Sequence, residues 1–136
     1  MEFEFSEGRI GPLSRGMTRT TVRSVLGRDF IEFRKTEFSE NTTDAYDEIG
    51  VHIYYASDEL VKGVELFPSS STLIYKSLQV FCYKCTDLCV LLNELGVCYL
   101  EQDSDLIVID GQIRLYVPDK RRDDNARIKS AYVPLA

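Results

Sequence analysis

Hydrophobic and polar positions change period several times along the chain, and each change marks an element. In GMTRTTVRSVLG (Gly16–Gly27) the apolar residues Val22, Val25 and Leu26 fall at helical spacing. Thr18 is a suitable N-cap, because its hydroxyl can accept from an unpaired amide of the first turn, and Gly27 supplies the stop. FIEFRK (Phe30–Lys35) alternates as a strand, and TEFSENTTDAYDE is polar and turn-rich. IGVHIYY (Ile49–Tyr55), ASDEL and VKGVELF (Val61–Phe67) then read as the strand, turn and returning strand of a hairpin.

The same order recurs further on. TDLCVLLNELG places Leu88, Leu91, Leu92 and Leu95 on one stripe, with Thr86 as the expected N-cap and Gly96 as the stop. VCYLE, LIVI (Leu106–Ile109), GQIRLYVP (Gly111–Pro118) and ARIKSAYV (Ala126–Val133) follow as strands, separated by the turns QDSD and DKRRDDN. Overlaid, Val22 falls on Leu91 and Leu26-Gly27 on Leu95-Gly96, both at an offset of 69. Tyr54 falls on Tyr116, and Val64 near Ile128. MEFEF and TLIY (Thr72–Tyr75) are expected as extra strands ahead of each helix, with PSSST (Pro68–Thr72) as the link.

Helix-then-strands without βαβ alternation predicts an α+β fold with a largely antiparallel sheet. Neither half buries enough apolar surface to stand alone. The expectation is one domain over 1–136, built from two tandem helix-plus-strand repeats (approximately 1–68 and 72–136) that form one shared sheet and core.

The residues Gly16, Met17, Thr18, Val22, Leu26 and Gly27 carry a family resemblance. They resemble the opening "G-M-T/S-x-x-x-V-x-x-x-L-G" of the BamE lipoproteins and of each half of the tandem-repeat β-lactamase inhibitor proteins. The second half keeps Leu91, Leu95 and Gly96 but has Lys84-Cys85-Thr86 in place of Gly-Met-Thr. Over a longer span, GMTRTTVRSVLG, DAYDEIGVHIYY, VKGVELF and IRLYVP are similar in order to small bacterial immunity proteins encoded beside polymorphic or contact-dependent inhibition toxins. This resemblance implies a non-catalytic cytoplasmic protein that neutralises one cognate toxin domain by binding it. BamE-type export would need a signal peptide and a lipobox cysteine, and MEFEFSEGRI reads as neither.

Charge adds a direction to that expectation. The net charge is −6, and residues 37–65 hold eight acids against the single base Lys62. Such a field repels nucleic acid and anionic membranes and steers basic proteins, so the expected partner is a basic, nuclease-type toxin, with no nucleic acid or membrane. Tyrosine beside carboxylate suits such an interface, the ring as anchor and the charge as steering. Asp44, Tyr46, Asp47, Glu48, Asp58 and Glu59 are therefore the candidate toxin-binding surface.

Four cysteines crowd into FCYKCTDLCVLLNELGVC (Phe81–Cys98). Cys82, Cys85, Cys89 and Cys98 form the alternative reading, a small metal-binding or redox protein. Cys89 falls inside the expected helix and Cys98 beyond its end, which opposes one tetrahedral site, so the cysteines are expected in the core as small hydrophobes. His52 is the only histidine, and it faces the side of its strand opposite Val51 and Ile53. No phosphate-binding, zinc-protease or nucleophile-elbow motif occurs, QDSD lacks the rest of a calcium loop, and Lys120–Arg122 is flanked by acids. The expectation is a non-enzyme with no cofactor and no metal.

Overall fold

The computed structural model describes residues 1–103 and 105–136. It is a mixed α+β fold of two helices and two sheets, mostly β. Strands β1 (Glu2–Ser6), β2 (Arg9–Ile10) and β3 (Leu13–Ser14) precede α1 (Arg19–Leu26). Then come β4 (Ile31–Phe33), β5 (Thr43–Tyr46), β6 (Val51–Tyr55) and β7 (Val61–Leu66). After β8 (Thr72–Tyr75), β9 (Leu78–Gln79) and a short 3-10 turn lies α2 (Cys85–Glu94). Strands β10 (Tyr99–Glu101), β11 (Leu106–Ile109), β12 (Ile113–Tyr116) and β13 (Ser130–Pro134) complete the chain.

The larger sheet has the order β10-β11-β12-β13-β7-β6-β5-β4 and is antiparallel throughout. The smaller has the order β3-β2-β1-β8-β9. In it the two strands expected ahead of the helices, β1 and β8, pair with each other in parallel, Phe3 beside Leu73. The strands thus divide between two sheets over one continuous core, which runs from Phe3 and Leu73 through Val22, Leu88 and Leu92 to Val51, Ile53, Leu115 and Val133.

Both helices are too short to persist alone, so they depend on that core. α1 starts where the sequence indicates: Thr18 Oγ1 accepts from the Thr21 amide at 3.2 Å. It ends at Gly27, whose φ of 97° lies where glycine alone is unstrained. Val22 is its one fully buried side chain, worth about 2 kcal/mol of burial. α2 begins two residues earlier than Thr86 indicates. Its N-cap is Lys84, whose side chain makes no capping bond, and Thr86 instead donates to the Asp124 carbonyl at 3.1 Å. The reason is tertiary: Lys84 bridges to Arg127, and the Cys85 amide donates to the Ala126 carbonyl at 2.9 Å.

Three further expectations meet the structure. The polar segment 36–48 contains a strand after all, β5, and all four of its residues are buried. The last strand is shorter than the run Ala126–Val133, starting at Ser130. The turn expected at 102–105 includes Ser104, which lies outside the described residues. Among the described residues no helix is long and apolar enough to cross a membrane.

Candidate binding face and the acidic segment

Alternation along the large sheet sends Val51, Ile53 and Tyr55 of β6, Val64 and Leu66 of β7, and Ala131 and Val133 of β13 into the core. The intervening residues face the other way, where His52, Tyr54, Glu65 and Tyr132 are half-buried and Arg114 and Tyr116 of β12 are exposed. At the centre of that open face Tyr54 (β6), Gly63 (β7) and Tyr132 (β13) come together. Gly63 pairs with Tyr54 on one side and Pro134 on the other, and the Tyr132 phenol lies directly over it. A Cβ at position 63 would collide with that phenol, which explains a glycine in mid-strand. The Tyr54 and Tyr132 rings meet edge to face at 5.8 Å.

Charged groups tie the rings down. Tyr54 donates to Glu65 Oε1 at 2.6 Å, and Lys35 Nζ donates to the Tyr54 oxygen at 2.7 Å. Burial, with Glu65 adding to it, pushes the Tyr54 phenol above its usual range, so it remains protonated. Along β6, His52 sits between Phe67 (ring centroids 4.7 Å) and Phe33 (5.6 Å). Burial and then Lys35 lower its pKa, outweighing Glu65 and then Asp47, whose carboxylate lies 3.6 Å away. As expected, His52 is on the face opposite Val51 and Ile53. On the far side Arg114 lies 5.9 Å from the Tyr132 ring, and Tyr116 is exposed. A concavity of about 260 Å³ opens at the edge, lined by Glu40, Asn41, Tyr54, Tyr55, Lys62 and Tyr132 among others.

The acidic segment is arranged differently from what its charge count suggests. Asp44 is 0% exposed, and Arg23 of α1 grips both its oxygens at 2.8 Å. Arg23 also reaches Glu32 at 2.9 Å, while Arg19 pairs with Glu59 at 2.8 Å and Glu32 at 3.6 Å. The hydrogen bond from Thr42, then that from Arg23, lowers the Glu32 pKa. Two arginines outside the segment therefore pair with two of its eight acids, Asp44 and Glu59. Tyr46 is likewise buried, donating to the Gly27 carbonyl at 3.3 Å, and burial pushes its pKa up to about 12.

Of the six residues expected to bind a toxin, Asp44 and Tyr46 are thus withdrawn into the interior. Asp47, Glu48, Asp58 and Glu59 are exposed. They do not form one patch: Asp47 and Glu48 precede β6 and Asp58 and Glu59 follow it, about 17 Å apart along a five-residue strand. Asp58 also caps its own turn, accepting from the Leu60 amide at 3.1 Å. The residues that sequence reasoning missed are Gly63 and Tyr132, and the only local signal was a glycine inside the strand VKGVELF.

The cysteines also divide. Cys85 is buried as expected, Cys89 is half-buried, and Cys82 and Cys98 are exposed, so the core assignment fails for the last two. All four thiols are free, and among the described residues no three Cys, His, Asp or Glu side chains converge in a metal-binding arrangement.

Compared with known proteins, the chain matches no family model, no curated protein and no solved structure.

Proposed function

We propose that this chain is a non-catalytic inhibitor of the immunity-protein type, which holds a basic toxin domain against the open face of its large sheet. The observation that carries the reading is that face itself: paired, half-buried rings of Tyr54 and Tyr132, with the Tyr54 phenol held between Glu65 and Lys35. Pre-ordered tyrosines beside a carboxylate make a surface that loses little side-chain entropy on docking. The net charge of −6 favours encounter with a basic partner, and Asp47 and Glu40 stand at the margin of the face, where charge steers association.

The same reading takes the chain as a duplicated unit. In its support, the large sheet runs β4-β5-β6-β7 inward from one edge and β10-β11-β12-β13 inward from the other. Just ahead of each helix stands an isolated bridge, Thr18 to Leu60 and Lys84 to Arg127. The first residue of each helix donates alike, Arg19 to the Glu59 carbonyl and Cys85 to that of Ala126, both at 2.9 Å. Aligned on the bridges the helices start 66 residues apart, whereas their stops Gly27 and Gly96 are 69 apart, α2 being the longer.

Coexpression tests the function. The chain is expected to restore growth to cells making the toxin domain encoded beside it, and to copurify with that domain. A toxin that neither binds nor is neutralised overturns the proposal.

A further inference from the structure

β10 (Tyr99–Glu101) is one edge of the large sheet, and the bonds at its two flanks fix which of its groups are used. The Asp110 amide donates to the Cys98 carbonyl at 2.8 Å, and the Gln102 amide to the Leu106 carbonyl at 3.2 Å. Leu100 stands opposite Val108 in the same register. The alternation of an antiparallel ladder therefore directs the amides and carbonyls of residues 98, 100 and 102 toward β11. Those of Tyr99 and Glu101 point out of the sheet, and among the described residues nothing takes them up.

The side chains alternate as well. Leu100 is 72% exposed and lies in one cross-strand row with Val108, Arg114 and Tyr132 on the open face. Tyr99 and Glu101 turn to the opposite face. There the Tyr99 oxygen accepts from Asn93 Nδ2 at 3.3 Å, and Lys120 Nζ sits 3.4 Å from Glu101 Oε2. The charge on the strand is thus answered within the chain.

An edge of this kind is a template for another strand, and proteins usually blunt it with lysine, proline or a bulge. β10 has none of these. The other edges offer less. β3 and β9 bound the small sheet with two residues each. β4, at the far end of the large sheet, centres on Glu32, which is committed to Arg23 and Thr42. Pairing β4 with its own copy would set Glu32 against Glu32, and like charges directly opposite repel.

We propose that β10 is a self-association edge, pairing antiparallel with β10 of a second copy of this chain about a two-fold axis at Leu100. That register sets Tyr99 opposite Glu101 of the second copy, and Glu101 opposite Tyr99. Both pairs join outward-pointing groups, so each exchanges both of its hydrogen bonds. A register centred on Tyr99 or Glu101 would carry one of the two past the end of the strand. Leu100 meets its own copy in a non-hydrogen-bonded pair, the kind whose side chains approach more closely. With Val108 from each side the two leucines form an apolar seam. The contact is isologous and closes at two copies, joining the two large sheets into one. Tyr132 stands on β13, three strands in from the seam, so the pairing does not depend on the toxin reading.

Sedimentation velocity of the full reduced chain over a concentration series tests the association. A species of twice the 15.6 kDa chain mass is expected. Leu100→Lys is expected to weaken self-association by about tenfold or more, with the fold intact by circular dichroism. Ile31→Lys, exposed on the β4 edge, is expected to leave it unchanged. Leu100→Cys tests the register, because non-hydrogen-bonded neighbours have Cα atoms about 4.5 Å apart, within the disulfide range of about 4.4–6.8 Å. On oxidation this variant is expected to give a covalent dimer whose mapped bridge joins the introduced thiols. Cys98, about 14 Å from its copy in this register, is expected not to bridge to it.

A chain that stays at the monomer mass throughout the series overturns the proposal, as does a dimer broken by Ile31→Lys and not by Leu100→Lys. A bridge between the two copies of Cys98 overturns the register. A chain that is monomeric alone but loses the toxin domain through Leu100→Lys gives the edge to a strand of that partner, and the self-association is wrong. The crosslink does not rely on losing association, so a Leu100→Lys chain that fails to fold leaves it decisive.

Discussion

Arg23 holds both carboxylate oxygens of Asp44 at 2.8 Å, joining α1 to a strand 21 residues away whose carboxylate is wholly shut off from water. The guanidinium is itself pushed far toward the charged state, chiefly by its bond to Asp44, and it packs 4.3 Å from the centre of the Phe30 ring. A short helix with one fully buried side chain is in this way fastened by charge as well as by packing.

That arrangement makes Arg23 a stability determinant. Removing the cation leaves a buried carboxylate without its partner, and such a loss costs about 3 kcal/mol. Arg23→Met is expected to lower the unfolding free energy by about that amount in urea titrations. Asp44→Asn, which deletes the charge that needs a partner, should cost less, and the double variant should recover part of the Arg23→Met loss. Equal losses in both single variants would locate the effect in packing.

His52 predicts a pH dependence. Its native pKa lies below the ordinary 6.5, so over that interval the unfolded chain binds more protons than the native one. Native stability therefore rises with pH through the interval and falls on acidification below about 6.5. His52→Gln is expected to flatten this slope between about pH 5 and 7. An unchanged slope in denaturation midpoints would assign it to other groups.

Gly63 and Tyr132 offer a steric test. A methyl group at position 63 has no room while the phenol lies across it, and overpacking of this kind costs about 1–3 kcal/mol. Gly63→Ala should destabilise the protein, and Tyr132→Ala in the same chain should relieve most of that loss. If the double variant is no better than additive, the close approach is not the cause.

What was legible in the sequence was whatever local chemistry determines. Thr18 and Gly27 cap and stop α1 with their own side chain and backbone freedom, and the apolar alternation of β6 and β7 separates core from open face. β5 was not legible, because Thr43 and Asp44 are polar residues whose burial depends on Arg23, far away in sequence. The same distance misled the charge count, which leaves out the arginines of α1 that pair with Asp44 and Glu59, two of the eight acids of the segment. The one available signal was the pair Arg19 and Arg23, which straddle Val22 on the face that must turn inward. Thr86 failed as a cap for a related reason, since the contacts of Lys84 and Cys85 with the 126–127 backbone set where α2 begins. The pairing of Tyr54 with Tyr132 joins strands almost 80 residues apart, and no periodicity encodes it.

The proposed interface separates anchors from steering groups, and the two should respond differently. Tyr132 is a ring at the centre of the open face, so truncating it removes contact area that a docked partner would desolvate. Tyr132→Ala is expected to weaken the toxin complex at least tenfold, chiefly through faster dissociation, with the free protein still folded by circular dichroism. Asp47, Glu48 and Asp58 are exposed and lie toward the ends of β6, where solvent screens them. Reversing their charge should slow association and reduce its salt dependence while leaving dissociation nearly unchanged. Glu59 is left out of that set because Arg19 holds it, and its reversal would disturb α1 as well as the surface. If the acid reversals accelerate dissociation and Tyr132→Ala does nothing, the toxin sits on the ends of the β6–β7 hairpin, and the open face is not the interface.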